Sequence, residues 1–246
     1  MNTHEGRVAV VTGAAAGIGR AICVDLARRG ADVIAVDIAP ADDTVSDVRE
    51  LGRRTLSLRA DLSDPEEVAA ITTNLLGFAG RVDILVNNAG IFPARGIFDL
   101  DFAEWKRVQG NNIDSQFLMV KAVIDPMQDQ AWGRIINLAS NTLSLAVPNM
   151  TAYLTSKGAV VGFTRALAND LAPFGITVNA VCPTATRTPG MSHVPEERLQ
   201  VVANLQAIKR VGTAQDVVGT VSFLSSEDSA FMTGQTLVCD GGLMRV

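Results

Sequence analysis

Short runs rich in β-branched residues alternate with longer amphipathic stretches along this chain, and this alternation constrains the fold more than any other feature. The runs are 7–12 (RVAVVT), 32–37 (DVIAVD), 54–60 (RTLSLRA), 82–87 (VDILVN), 133–139 (GRIINLA), 175–182 (GITVNAVC) and 235–239 (QTLVC). They read as apolar on both faces, as strands buried between two helix layers do. The stretches between them suit helices of roughly 10–20 residues. Ser63-Asp64-Pro65-Glu66 predicts a helix start, with a cap, a proline in the first turn and a capping-box glutamate. Thr213-Ala214-Gln215-Asp216 repeats the pattern, and Gly30 and Gly80 mark helix ends. Together these signals predict an α/β fold: one Rossmann-type, doubly wound parallel sheet of about seven strands, with helices on both faces in three layers. Residues 1–246 are expected to form a single domain, with no linker or repeat.

Composition narrows the function. The formal net charge of −5 argues against a nucleic-acid or anionic-membrane partner. No apolar run reaches the roughly 18 residues of a membrane span. The N-terminus, MNTHEGRVAV, enters a strand without a basic and then apolar leader, so a cytoplasmic protein is expected. Cys23, Cys182 and Cys239 are far apart and form no CxxC pair, which argues against disulfides and a metal site. The two histidines are His4, expected in a frayed terminus, and His193. The chain lacks GxSxG, HExxH and GxxxxGK[ST], so hydrolase, zinc-protease and P-loop chemistries have no marker.

Two constellations carry chemistry. The first strand runs into Thr12-Gly13-Ala14-Ala15-Ala16-Gly17-Ile18-Gly19, and a helix follows. Glycines there let the backbone approach a pyrophosphate, and the helix N-terminus offers free N–H groups. Asp37 ends the second strand 18 residues after Gly19, where a carboxylate accepts from ribose hydroxyls and repels a 2′-phosphate. NAD is therefore predicted over NADP. The second constellation is Tyr153 and Lys157, four apart on a helix predicted over 151–172. They share one face, where a cation stabilises a phenolate whose ordinary pKa, about 10, is too high for a base at neutral pH.

The GxxxGxG turn, the Asn87-Asn88-Ala89-Gly90 run and Tyr153-xxx-Lys157, in that order, resemble the short-chain dehydrogenase/reductase family over about residues 6–242. The resemblance implies a hydride-transferring oxidoreductase with a catalytic set of Asn112, Ser140, Tyr153 and Lys157. It assigns nucleotide contacts to Gly13, Gly17, Ile18, Gly19, Asp37, Asp61, Leu62, Asn88, Ala89, Gly90, Tyr153, Lys157, Pro183, Thr186 and Thr188. Asn111 precedes Asn112 where the family usually has an apolar residue. Thr184 replaces a glycine, and Thr186 replaces an isoleucine or valine. A substrate lid is expected over 183–210, whose first part, 183–198, is the least regular stretch.

A pocket wall of Ile91, Phe92, Pro93, Leu143, Leu145, Met150 and Met191 predicts an apolar or aryl secondary alcohol and its ketone, with Arg95 and Arg187 as possible anchors for an anion. Local segments are similar to pyridoxal 4-dehydrogenases and 1-arylethanol dehydrogenases, and the whole pattern is also similar to 3-oxoacyl-acyl-carrier-protein reductases. A non-catalytic NAD-sensing scaffold is the alternative from another class. The resemblance further implies a homotetramer or homodimer, with one interface on helices 101–129 and 151–172. The other is assigned to the last helix and strand with the Leu243-Met244-Arg245-Val246 tail.

Overall fold

The computed structural model describes residues 3–145 and 147–244. The parallel order begins with β1 (Val8–Thr12), α1 (Gly17–Arg28), β2 (Asp32–Asp37), α2 (Asp42–Glu50), β3 (Thr55–Arg59), α3 (Pro65–Gly77) and β4 (Ile84–Asn87). It continues with α4 (Phe102–Gln109), α5 (Ser115–Asp129), β5 (Gly133–Leu138), α6 (Thr151–Leu171) and β6 (Ile176–Pro183). The last part holds β7 (Thr186–Arg187), α7 (Glu196–Leu205), β8 (Gly212–Thr213), α8 (Gln215–Leu224) and β9 (Thr236–Cys239). Seven strands form one parallel sheet in the order β3-β2-β1-β4-β5-β6-β9, as the alternation predicts. The order reverses direction between β1 and β4. A crevice opens at the carboxyl ends of strands at such a point, where ligands of doubly wound sheets bind.

Every residue of β1, β4 and β5 is buried, because helices cover both faces. Ile22, Leu26, Val48, Val217 and Leu224 fill the layer under α1, α2 and α8. Leu75, Met119, Val123, Met127 and Leu171 fill the layer under α3, α5 and α6. The edge strand β3 departs from the two-faced reading: only Leu58 of it is buried. The expected Gly30 and Gly80 stops hold, both at positive φ (105° and 67°).

Three local expectations change. The helix expected over 101–129 carries a single π turn at Gly110–Asp114, which separates α4 from α5. The cap of α3 is Asp64, which accepts from the Glu66 N–H at 2.8 Å, while Ser63 turns back to donate to Asp61. The reciprocal carboxylate is Glu67, bonded to the Asp61 N–H, so the capping motif is shifted from the one predicted. His4 is not frayed but fully buried. Its N–H donates to Arg29 O at 3.0 Å, and its Nε2 lies 2.8 Å from Ser225 Oγ. Of the predicted tail, Arg245 and Val246 lie outside the described residues.

Burial pushes the His4 imidazole down to about 4, with the Arg29 guanidinium assisting. The unfolded chain therefore binds a proton that the folded chain refuses. The stability this implies is present above the ordinary histidine value of 6.5 and is lost as the pH falls towards 4. We expect His4→Gln to flatten the acid-side loss of melting temperature over that window, removing a dependence of roughly 3 kcal/mol. Melting curves from pH 7 to pH 4 test this, and parallel slopes for the two proteins would contradict it.

Candidate active site

One cavity of about 890 Å³ runs along the carboxyl ends of the strands, from the glycine turn to α7. At one end β1 hands the chain to a turn in which Gly13 and Gly17 have φ of 64° and 58°. A Cβ on Gly13 would sit 2.7 Å from Asn88 Nδ2, and one on Gly19 would sit 2.0 Å from Gly13 O. Gly19 does not line the cavity; it lets α1 close against the turn. Thr12 and Asn88 bind the two sides of the crevice together. Thr12 Oγ1 accepts from the N–H groups of Asn88 and Ala89 at 3.0 Å, and Asn88 Nδ2 donates to Thr12 O at 2.9 Å. Thr44, which the sequence reading passed over, donates to Ala14 O from α2 at 2.7 Å.

Ala16 caps α1 with no side-chain acceptor, so the first N–H groups of this twelve-residue helix keep no capping partner. Ala16, Gly17 and Ile18 line the cavity there, with Asp37 beside them. Asp37 is fixed by Ala15 N–H to Oδ2 and Ala39 N–H to Oδ1, both at 2.9 Å. Bare helix donors, a turn with no room for side chains and a fixed carboxylate fit a dinucleotide: pyrophosphate at the helix end, ribose at Asp37. Asp61, Leu62, Ala89, Gly90, Pro183, Thr186 and Thr188 line the same cavity. Thr188 lies over the turn, 3.1 Å from where a Gly17 Cβ would be.

Further along, α6 presents Tyr153 and Lys157, and β5 delivers Ser140 just past its end. Lys157 is buried, its Nζ donating to Leu138 O at 2.7 Å and lying 5.8 Å from the centre of the Tyr153 ring. Ser140 Oγ accepts from Thr142 Oγ1 at 2.8 Å. Burial lowers Lys157 to about 8, opposed by Cys182. Burial also raises Tyr153 above the ordinary phenol value, while the neighbouring Ser140 hydroxyl pulls the other way. The lysine therefore does not by itself depress the phenol, as sequence reasoning expects of the pair. Burial is the largest influence on the phenol here.

Asn112 sits in the π turn, fully buried, with Nδ2 donating to Ile91 O and Ser156 Oγ at 2.9 Å. Its Oδ1 accepts from Ile91 N–H at 2.8 Å, and it does not line the cavity. Asn111 is the member of the doublet that lines the cavity, its amide donating to Arg107 O at 2.9 Å, whereas Asn112 is the fully buried one. Asn112 Oδ1 and Lys157 Nζ come within 3.0 and 3.6 Å of the point where a Gly90 Cβ would be, so a glycine there gives both of them room.

The helix bearing Tyr153 is itself tethered. Asn87 donates to Asn137 Oδ1, and Asn137 donates to Thr164 on α6, each at 2.9 Å. The signal for these bonds was an asparagine at the end of the apolar β4 and another beside Ile135, Ile136 and Leu138 in β5.

The predicted pocket wall holds in part: Ile91, Phe92, Leu145, Met150 and Met191 line the cavity, whereas Pro93 and Leu143 do not. Arg95 does not line it either, and Arg187 is ion-paired with Glu196. His193 and Arg198, which sequence reasoning did not place in the wall, do line it.

A family model described as enoyl-(acyl carrier protein) reductase matches residues 13–244. A 2-dehydro-3-deoxy-D-gluconate 5-dehydrogenase from Dickeya dadantii is 36% identical over 98% of each chain. A 3-oxoacyl-acyl-carrier-protein reductase from Salmonella typhimurium is 34% identical over 99% of this chain and 100% of its own. The protein belongs to the short-chain dehydrogenase/reductase family. Among solved members, carveol dehydrogenase from Mycobacterium avium in complex with NAD superposes with a TM-score of 0.94, at 28% identity over 99% of both chains. A chain from Beutenbergia cavernae, described as an NAD(P)-dependent gluconate 5-dehydrogenase with bound NADP, gives 0.93 at 35% identity over 98% of both.

The threonine that stands where the family usually has glycine has a local explanation. Among the described residues only Ala131 and Asn149 combine a side chain with positive φ, so Thr184 is unstrained. Its hydroxyl donates to Gln206 Oε1 at 3.0 Å, and Gln206 Nε2 donates to the carbonyls of Ile208 and Arg210. With the two-residue pairing of β7 and β8, this ties together both ends of the segment that carries α7.

Gly19→Ala should weaken NADH binding by more than about tenfold, because the new methyl group must displace the Gly13 carbonyl. Titration of nucleotide fluorescence measures this, and unchanged affinity would contradict the geometry.

Proposed function

We propose that this chain is an NAD-dependent alcohol dehydrogenase and ketoreductase that interconverts a secondary alcohol with an apolar, aryl-type body and its ketone. The observation that carries this reading is one cavity shared by the phosphate-binding turn and the Tyr153–Lys157 pair. In oxidation the Tyr153 phenolate takes the hydroxyl proton while the Ser140 hydroxyl holds the oxygen in place. Lys157 stabilises that phenolate as an ammonium, and Asn112 fixes the loop at Ile91 that closes the cavity beside it. A nicotinamide nucleotide held by the glycine turn and Asp37 would supply the carbon that accepts hydride. In reduction the phenol returns its proton to the developing alkoxide.

Asp37 supports NAD over NADP. It lines the ribose end, and the cations lining this cavity are Lys157 and Arg198, so a 2′-phosphate would meet a carboxylate. The wall of Ile91, Phe92, Leu145 and Met150 supports an apolar substrate body. Residues 183–210, which close over this wall with α7, serve as the lid of a single catalytic domain. Exposed Phe102 and Phe117 on α4 and α5 fit the homotetramer that the family resemblance implies.

The test is turnover of 1-phenylethanol and acetophenone with each nucleotide, followed by nicotinamide absorbance. NAD(H) should be preferred, and Asp37→Ser should improve kcat/KM for NADP(H) relative to NAD(H) by about tenfold or more. Tight NADH binding without turnover of any alcohol or ketone would favour the sensing scaffold. Because burial raises the Tyr153 phenol, the reactive phenolate is scarce at neutral pH. Oxidation should therefore rise by up to about tenfold per unit from about pH 7 to 8 and level off above that, where Lys157 loses its ammonium, and a flat profile below pH 8 would contradict the assignment.

A further inference from the structure

The lid end of the cavity carries charge and hydrogen-bonding capacity that its apolar wall does not account for. The His193 ring stacks on Phe92, centroids 5.4 Å apart and planes 25° from parallel. Phe92 in turn meets the Tyr153 ring edge-on at 6.4 Å. The imidazole therefore stands two ring contacts from the proposed acid/base, on the wall of the same cavity. Stacking fixes the ring plane, and neither ring nitrogen has a hydrogen-bond partner among the described residues.

Arg198, in the first turn of α7, lines the same cavity. Its guanidinium has no ion pair or hydrogen bond to another described residue. The neighbouring arginine, Arg187, is neutralised by Glu196. The carboxylates lining the cavity, Asp37 and Asp61, belong to the nucleotide end. A planar fork of donors and an imidazole N–H, with no acid lining their end of the cavity, is the donor set that holds a carboxylate.

On the alcohol/ketone reading above, we propose that the substrate is a hydroxy acid and its keto acid, with a carboxylate bound by His193 and Arg198. The apolar body between the carbinol and the carboxylate lies against Ile91, Leu145 and Met150. On this proposal the body is an aryl ring that carries the two groups para to each other. The mouth of the cavity is open to water, so the free acid can enter and the lid residues close on its charged end.

The test compares acetophenone with 4-acetylbenzoate on the NADH-loaded protein, reading both turnover and quenching of nucleotide fluorescence on binding. KM and Kd for the acid should be about tenfold lower than for the neutral ketone, and the gap should narrow as salt is raised. Arg198→Gln and His193→Phe should each shrink that ratio several-fold, and Arg198→Lys should keep part of it. Both side chains are exposed, so the variants should fold. Equal KM and Kd for the two ketones, or a ratio unmoved in both variants, would overturn the proposal. Turnover of both ketones without preference would sink the anion site and leave the dehydrogenase reading standing. Preferential, Arg198-dependent binding of the acid without turnover would do the reverse.

Discussion

The Lys157 ammonium is the constraint on which the rest of the site depends. It is almost wholly withdrawn from water, with the Leu138 carbonyl as its hydrogen-bond partner. A buried cation with one neutral acceptor is costly, and burial accordingly brings its pKa down to about 8. The same burial raises the Tyr153 phenol, so the charged forms of both groups are disfavoured together. Any ligand that adds acceptors around Lys157 strengthens the cation and, through it, the phenolate. The fold serves this arrangement: β5 ends where its last carbonyl meets the lysine, and Gly90 leaves the space open. The Asn87–Asn137–Thr164 chain holds α6 to the sheet.

The sheet was legible in the sequence because its central strands are covered on both faces, and continuous apolar runs such as VAVVT and ILVN suit little else. The nucleotide end was legible for a similar reason. A positive φ and a close backbone approach demand glycine, so Gly13, Gly17 and Gly19 record tertiary geometry in residue type. Helix starts were less legible. Ser63 and Asp64 can each cap, and the choice depends on Asp61 and Glu67 around them. The π turn left no local mark beyond Gly110 and the asparagine doublet, and burial rather than sequence distinguishes Asn112 from Asn111. His4 was misjudged because nothing in its neighbours foretells a partner 221 residues away.

The substrate end was the least legible part, for a physical reason. Most of residues 183–195 lies outside any regular element but the short β7 and a single 3-10 turn, and α7 is brief, so no long pattern says which side chains face the cavity. Arg187 looked available and is paired with Glu196, whereas Arg198 lines the wall with no partner among the described residues. Thr184 looked like a defect in a glycine motif and instead holds Gln206 at the end of α7. On the proposed function, specificity would rest on this segment, above a catalytic floor made by Tyr153 and Lys157.

The most direct test of that floor is the Tyr153→Phe variant, measured for turnover and for NADH affinity in the same preparation. The account predicts loss of turnover by at least about a thousandfold, with NADH affinity within a few-fold of the parent, because the phenol moves the proton and is not needed to hold the nucleotide. Near-parental turnover in a folded, NADH-binding variant would contradict it.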